Sequence, residues 1–288
     1  MRKLNKFFVA VLTASLLLFS CVKDDKKATE ITTASEKKSV LSGSVSTNGS
    51  TSMATVMSIL SESFMEKNPS VTITYDPTGS GSGVESVESE KADIGLASRA
   101  LKPTEAEKGL QSTTLALDGI AIIVNENCNV SDMTLESLHD IFVGKITNWK
   151  ELGGADLEIA CIGREAGSGT RDGFETITDT KGSCKLQSEL TSTGAVISSV
   201  ANNQNGIGYA SLSAVEGQKR IKALRIDGVY PTEGTVQNGT YKIQRPFILV
   251  TKKGKALSET AQAFFDFITG KTAEVNEYIK KAGAVPVL

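Results

Sequence analysis

Three short segments of the chain combine glycine with serine and threonine, and these residues are the best suited to chemistry. The segments are GSTS at residues 49–52, GSGSG at residues 79–83 and REAGSGTR at residues 164–171. Serine and threonine hydroxyls donate hydrogen bonds, and glycine lets a ligand approach the backbone. Arg164 adds a planar guanidinium that can bind two oxygens of one oxyanion. This combination predicts a binding site for a small oxyanion.

Each segment alone also has a structural explanation. GSTS is typical of a helix N-cap, and GSGSG is typical of a flexible turn. The third segment carries two arginines, Arg164 and Arg171, in register with its hydroxyl residues. The occurrence of three such segments in one chain favours a binding site over three separate turns.

All three segments are predicted to follow a strand and to begin a helix. Strands are predicted over residues 39–46, 71–75 and 157–162, and each leads into one of the segments. The first turn of a helix has free N–H groups and the positive end of the helix dipole, so it attracts anions. Because ligands of α/β folds bind beyond the carboxyl ends of strands, we expect the three helix N-termini to surround one tetrahedral anion.

The rest of the chain continues this alternation of strands and helices. Residues 119–124 form an unbroken apolar run, which is typical of a strand buried on both faces. Further strands are predicted at residues 94–97 and 247–250, and helices at residues 53–65, 134–143 and 260–268. Repeated units of this kind predict an α/β fold in which helices flank mainly parallel sheets.

The composition excludes several classes of function. The chain has 31 basic and 33 acidic residues, so it lacks the positive field that gathers nucleic acid. Its one histidine, His139, lies in a predicted helix and no GxSxG segment occurs, which argues against a Ser-His-Asp hydrolase and a zinc site. The absence of GxxxxGK[ST] excludes a P-loop. The sequence therefore predicts a binding protein without metal or cofactor, and not an enzyme.

The N-terminus predicts export. Residues 1–20 begin with positive charge and continue in an apolar run that is too short to span a membrane, as in a signal peptide. The run ends in LFSC at Cys21, which resembles the bacterial lipobox whose cysteine is acylated; an ordinary signal peptide with a chance cysteine is the alternative. Residues 21–38 are charged and lack aromatics, so they are predicted to be a tether. We therefore expect a protein held by its lipid anchor alone, on the periplasmic face of a membrane or on the cell surface.

Three cysteines remain after Cys21, namely Cys128, Cys161 and Cys184. The oxidising environment outside the cytoplasm allows one disulfide among them and leaves one thiol over. Their spacing does not select the pair.

Seven segments in order along the chain resemble the periplasmic phosphate-binding proteins of high-affinity phosphate ABC importers. Besides the three segments above, they are ADIGLASR at 92–99, DGIAIIVN at 118–125, ITNWKELGG at 146–154 and GIGYASL at 206–212. The resemblance implies a two-lobed periplasmic-binding-protein fold of type II, with two sheets whose centres are mainly parallel and a hinge that the chain crosses twice. One lobe would comprise residues 39–124 and 238–288, and the other residues 125–237.

The same resemblance implies the ligand, its partners and most of its contacts. The protein would bind inorganic phosphate and deliver it to two ABC permease subunits. A monomer is the default expectation, and the near-neutral charge predicts that nucleic acid is not a partner. The implied phosphate-binding residues are Thr51, Ser52 and Ser80 from the first lobe, and Arg164, Ser168, Gly169 and Thr170 from the second.

One position departs from the family pattern. Well-known members have a ligand-binding aspartate where this chain has Ser98. A carboxylate accepts the proton that phosphate keeps at neutral pH, and it repels sulfate. Asp118, just before the apolar run, is the other candidate acceptor, although a capping or hinge role is an equal alternative. Arg99 is expected to contact the ion or to pair with Asp118.

Three other functions compete with phosphate import. The ligand of the same fold could be sulfate, molybdate, tungstate or arsenate, and arsenate also carries a proton at neutral pH. A phosphate-ester hydrolase would reuse the anion site, but the sequence supplies neither a metal cluster nor a histidine-activated nucleophile. A surface receptor or adhesin would leave the anion site without a function.

Overall fold

The structure is a computed structural model that describes residues 40–287. The predicted signal peptide, the lipidation of Cys21 and the tether over residues 21–38 lie outside these residues. No helix within residues 40–287 is long and apolar enough to cross a membrane.

Residues 40–287 form twelve strands and ten α-helices. The elements up to the middle of the chain are β1 (Gly43–Gly49), α1 (Ala54–Lys67), β2 (Val71–Asp76), α2 (Ser80–Glu88), β3 (Ile94–Ala97), α3 (Pro103–Ala106), β4 (Leu110–Asn125), β5 (Asp132–Met133), α4 (Leu135–Phe142) and β6 (Ala160–Arg164). The elements that follow are α5 (Gly169–Ile177), β7 (Ser188–Leu190), α6 (Thr193–Ala201), β8 (Gly206–Ser211), α7 (Leu212–Val215), β9 (Ile221–Ala223), β10 (Arg225–Ile226), α8 (Glu233–Gln237), β11 (Gln244–Lys252), α9 (Glu259–Thr269), α10 (Ala273–Lys281) and β12 (Val285–Pro286).

Ten of the strands form one continuous sheet with two parallel centres. Its order is β2-β1-β3-β11-β4-β8-β6-β7, and β9 and β12 also pair with β4. The strand β1 pairs in parallel with β2 and β3, and β6 pairs in parallel with β7 and β8. Antiparallel pairs of β11 and β4 lie between these two groups. The predicted α/β fold is therefore confirmed, with parallel pairing around β1 and around β6.

The strand β4 joins the two parallel groups. Residues 110–119 pair with β11, whereas residues 120–125 pair with β8 and β9. Only its second part, the apolar run of residues 119–124, was predicted as a strand. Residues 111–114 are exposed, so the first part of β4 lacks the continuous apolar pattern of a doubly buried strand.

The two largest hydrophobic clusters correspond to the two parallel groups of strands. One cluster packs α1, α9 and α10 against the sheet around β1, and its aromatic centre is Phe64 against Phe264 at a centroid distance of 5.3 Å. A second cluster contains Phe142, Phe174 and Tyr209, and the last two rings stack at 4.1 Å. Below, the strands β1, β2 and β3 with the elements packed on them are called the first half. The strands β6, β7 and β8 with the elements packed on them are called the second half. The lobe limits implied by the resemblance stay a prediction.

The three cysteines of the described chain are free thiols. Cys128 and Cys161 are buried, and Cys184 is half-buried. The disulfide that the composition allowed is therefore not formed in this structure.

Candidate anion-binding site

The three predicted segments meet between the two halves. Seven serine and threonine residues form one hydrogen-bonded set, which we call the hydroxyl cluster: Ser50, Thr51, Ser52, Ser80, Ser98, Thr170 and Thr193. The Oγ of Ser52 lies 2.8 Å from Oγ1 of Thr170, and these residues are 118 positions apart in the chain. On the other side, the Oγ atoms of Ser80 and Ser98 are 3.2 Å apart. The structure therefore brings together most of the residues predicted to bind the anion.

The first-half members are held by strand ends and helix starts. Ser50 caps a short 3-10 turn, Thr51–Met53, that leads into α1, and Ser80 is the first residue of α2. Gly49, which precedes Ser50, has a φ of 143°, and a Cβ there would lie 2.1 Å from the carbonyl oxygen of Leu96. Only glycine fits this contact, because an added carbon would overlap the backbone of β3. The close approach places the end of β1 beside Ser98.

The second half contributes the N-terminus of α5. Ser168 is its N-cap, and the Ser168 side chain accepts a hydrogen bond from the Arg171 N–H. Gly169 follows, and a Cβ on it would lie 2.4 Å from Oγ of Ser80 and 2.7 Å from Oγ of Ser98. The missing side chain therefore lets α5 contact the cluster directly. Since Ser168 caps the helix, its predicted contribution to an anion site comes through the α5 N-terminus.

Arg164 supplies the positive charge of the site. It ends β6, is 2% exposed, and donates from Nε to the Leu190 carbonyl at 3.0 Å. Its Nη2 donates to the Thr191 carbonyl at 3.0 Å and to Glu165 Oε1 at 2.8 Å. Its Nη1 instead donates to Oγ1 of Thr51, across the two halves, at 2.9 Å. Two backbone carbonyls and the Glu165 carboxylate thus fix the guanidinium, and Nη1 faces the hydroxyl cluster.

Two cluster members were missed by the sequence analysis. Thr193, the first residue of α6, is 3% exposed, and its Oγ1 lies 3.0 Å from that of Thr51 and 3.1 Å from Oγ of Ser52. Ser50 donates to Oγ of Ser98 at 2.8 Å. Thr193 had a usable signal, because Ser192-Thr193-Gly194 precedes an apolar helical run, as in the other segments.

Ser98 lies in the cluster, whereas Arg99 points elsewhere. Ser98 is 1% exposed, and its N–H donates to Oγ of Ser80 at 3.1 Å. The Arg99 guanidinium binds both carboxylate oxygens of Glu105, at 2.7 and 2.9 Å, and its Nε lies 3.2 Å from Asp172 Oδ2. The predicted pairing of Arg99 with Asp118 is therefore wrong, because Glu105 and Asp172 occupy its guanidinium.

Asp118 is fully buried on β4 and faces a different arginine. Its Oδ2 accepts from Arg245 Nη2 at 2.9 Å and from Nε at 3.2 Å, while Oδ1 accepts from Oγ of Ser211 at 2.7 Å. Burial raises the pKa of the Asp118 carboxyl and lowers the pKa of the Arg245 guanidinium, and their mutual attraction opposes both shifts. Arg245 Nη1 then donates to the Ser98 carbonyl at 3.1 Å. Among the hydrogen bonds of residues 40–287, Asp118 reaches the cluster only through Arg245.

The site is therefore built from donors around one buried cation. Hydroxyl groups, the N-terminus of α5 and Arg164 Nη1 converge, and all of them can donate to oxygens of an anion. Residues 40–287 contain no cluster of histidine, cysteine and carboxylate side chains suited to a metal. The arrangement can bind a small oxyanion and fix its orientation.

The chain is similar to known phosphate-binding proteins over most of its length. A family model described as the PBP superfamily domain matches residues 31–272. The phosphate-binding protein PstS of Bacillus subtilis is 31% identical over 99% of this chain and 95% of its own length. PstS of Borreliella burgdorferi is 28% identical over 80% of this chain and 86% of its own length.

Solved structures of phosphate-binding proteins are also similar to this chain. A structure from Clostridium perfringens, assigned to a phosphate ABC transporter substrate-binding protein with bound phosphate, has a TM-score of 0.80 and 39% identity, covering 85% of this chain and 100% of that one. An ABC-type phosphate transport receptor from Vibrio cholerae has a TM-score of 0.69 and 32% identity, covering 84% of this chain and 100% of that one.

Proposed function

The chain belongs to the PBP superfamily and to the PstS family of phosphate-binding proteins, and on this premise we propose that its hydroxyl cluster and Arg164 bind one inorganic phosphate ion for an ABC importer. The observation that carries the proposal is the position of Arg164. This guanidinium is almost fully buried, yet its Nη1 faces neutral hydroxyls of the opposite half at 2.9 Å. A buried guanidinium nitrogen that is directed at neutral hydroxyls is suited to an anion, which can accept hydrogen bonds from both.

Each predicted residue has a role in this proposal. The hydroxyls of Thr51, Ser52, Ser80, Ser98 and Thr170 donate to phosphate oxygens. Arg164 supplies charge, and the backbone at Ser168 and Gly169 supplies the helix N-terminus. Asp118, the other predicted acceptor, has its oxygens bound by Arg245 and Ser211, so we assign to it a structural role at the hinge.

Binding is proposed to close the two lobes on the ion. The lobes would be residues 39–124 with 238–288 and residues 125–237. The hydrogen bond between Ser52 and Thr170 and the one that Arg164 donates to Thr51 connect them at the site. Hinge closure of this kind is common among periplasmic binding proteins.

The cellular role follows from membership of this family of transporter proteins. The protein would bind phosphate outside the cytoplasm, attached to the membrane by a lipid on Cys21, and pass it as a monomer to the permease subunits without catalysing a reaction. The periplasmic face of a membrane and the cell surface are both compatible with this role.

Isothermal titration of the purified protein, freed of bound ions, tests the ligand. We expect one phosphate per protein and no measurable heat of binding with sulfate. Equal or tighter binding of sulfate or molybdate would keep the anion site but overturn phosphate as its ligand. No binding of any oxyanion would overturn the proposed function. Sustained hydrolysis of a chromogenic phosphate ester would overturn the non-enzymatic role.

A further inference from the structure

Selection of phosphate over sulfate requires a group that only accepts hydrogen bonds, and the hydroxyl cluster does not provide one. At neutral pH phosphate retains a proton and sulfate does not, so only phosphate can donate a hydrogen bond. A hydroxyl such as that of Ser98 both donates and accepts, and it therefore suits either ion. A carboxylate only accepts, so it favours the ion that can donate and opposes the other.

Glu165 carries a carboxylate oxygen that is free to accept. Its Oε1 accepts from Arg164 Nη2 at 2.8 Å, but its Oε2 is buried and has no hydrogen-bond partner. Within residues 40–287 it is the one buried carboxylate oxygen in this condition. Buried polar atoms are normally hydrogen-bonded, so an unpaired one next to a binding site suggests a ligand as its partner.

The position of Glu165 also fits this role. The residue follows Arg164 directly, and Arg164 Nη1 faces the hydroxyl cluster. From the other half, a Cβ on Gly79 would lie 3.9 Å from Glu165 Oε1, and the next residue is Ser80 of the cluster. The carboxylate therefore lies between two elements that both contribute to the proposed site.

We propose that Glu165 Oε2 accepts the hydrogen bond from the protonated oxygen of phosphate and thereby excludes sulfate. The inference rests on the proposed function and assigns its specificity to a residue of this chain. Phosphate bound to Arg164 would pair the unpaired oxygen of Glu165 with its O–H group. Sulfate in the same place would set a negatively charged oxygen against the carboxylate, which is unfavourable in a buried site.

Titration of Glu165→Gln with phosphate and with sulfate tests this assignment. The glutamine keeps the size of the side chain, and its amide can donate to sulfate as well as accept. We expect phosphate affinity to fall about 10- to 100-fold and sulfate binding to become measurable, since a hydrogen bond to a charged group is exchanged for a neutral one. Glu189→Gln, which removes an exposed carboxylate that pairs with Arg171, is the matched control and should change neither affinity.

The direction of the two changes separates specificity from structure. If Glu165 only positioned Arg164, phosphate affinity would fall while sulfate binding stayed unmeasurable, and that result would overturn the inference. Unchanged selectivity in a variant with a normal melting temperature would overturn it as well. Wild-type protein that binds no phosphate would instead overturn the proposed function.

Discussion

Arg245 and Arg164 are the most deeply buried arginines of residues 40–287, at 4% and 2% exposure, and their surroundings differ. Arg245 faces the fully buried carboxylate of Asp118 through contacts of 2.9 and 3.2 Å. Arg164 faces backbone carbonyls, the hydroxyl of Thr51 and the carboxylate of Glu165, whose side chain is 30% exposed. The first arginine has a complete partner within the protein, whereas one nitrogen of the second is directed at neutral donors.

The difference distinguishes a structural ion pair from a ligand site. A buried charge is costly unless it is paired and hydrogen-bonded, and Arg245 meets this condition without any ligand. Arg245 also donates to the Ser98 carbonyl, so the pair supports the backbone of the neighbouring site. Arg164 pairs with the partly exposed Glu165 through Nη2, and its Nη1 would gain a charged acceptor only from an anion among the hydroxyls. Four substitutions test this distinction.

The largest expected effect is on stability, from Asp118→Asn. Removal of one partner leaves the Arg245 charge buried and unpaired, so the free energy of unfolding should fall by about 3–5 kcal/mol. Urea unfolding monitored by circular dichroism measures the change. The double variant Asp118→Leu with Arg245→Met should recover much of the loss, because it removes both charges.

The selectivity of Asp118→Asn tests the role first predicted for this residue. As a phosphate acceptor, Asp118 would be required for the rejection of sulfate. As a structural partner, it should leave selectivity unchanged in the fraction that remains folded. Relaxed rejection of sulfate with a normal unfolding midpoint would contradict the structural assignment.

Arg164→Gln should act mainly on binding. Loss of a buried charge that contacts the anion should cost about 2–5 kcal/mol of binding free energy, or about 30-fold to several thousand-fold in affinity. Isothermal titration measures the loss, and Arg225→Gln, at an exposed arginine, is the control. Near-normal phosphate binding in Arg164→Gln would show that Arg164 does not bind the anion.

Gly169→Ala should weaken binding by steric conflict. The new methyl group would lie 2.4 Å from Oγ of Ser80 and 2.7 Å from Oγ of Ser98, so the two halves could not approach as closely. Overpacking of this kind costs about 1–3 kcal/mol, which corresponds to about 5- to 150-fold in phosphate affinity. Gly194→Ala is a matched control near the start of α6, because a Cβ there meets nothing within 4 Å. Equal affinities of the two variants would show that α5 does not contact the site as described.

The smallest effect is expected from Thr193→Ala. This change removes one hydroxyl from the cluster, and a hydrogen bond contributes about 0.5–1.5 kcal/mol, or about 2- to 12-fold in affinity. Thr193→Ser keeps the hydroxyl and should bind phosphate as the wild type does. A serine variant as weak as the alanine variant would assign the effect to packing of the threonine methyl group.

The sequence predicted the parts of the site that depend on local patterns. GSTS, GSGSG and REAGSGTR each join a strand end to a helix start, and this local arrangement follows from glycine and capping residues. Partners that are distant in the chain were harder to predict. Asp118 and Arg245 are 127 positions apart, and nothing in the sequence around Arg245 indicates a buried ion pair. Arg99 was misjudged for the same reason, because Asp172 reaches it from the other half.

A crystal structure of the protein grown with phosphate tests the central claim most directly. We expect the ion between the two halves, within hydrogen-bonding distance of Arg164 Nη1 and of the hydroxyls of Thr51, Ser52 and Thr170. We also expect that the pair of Asp118 and Arg245 stays intact and does not contact the ion. Phosphate bound at Arg245, or anywhere outside the hydroxyl cluster, would contradict the account.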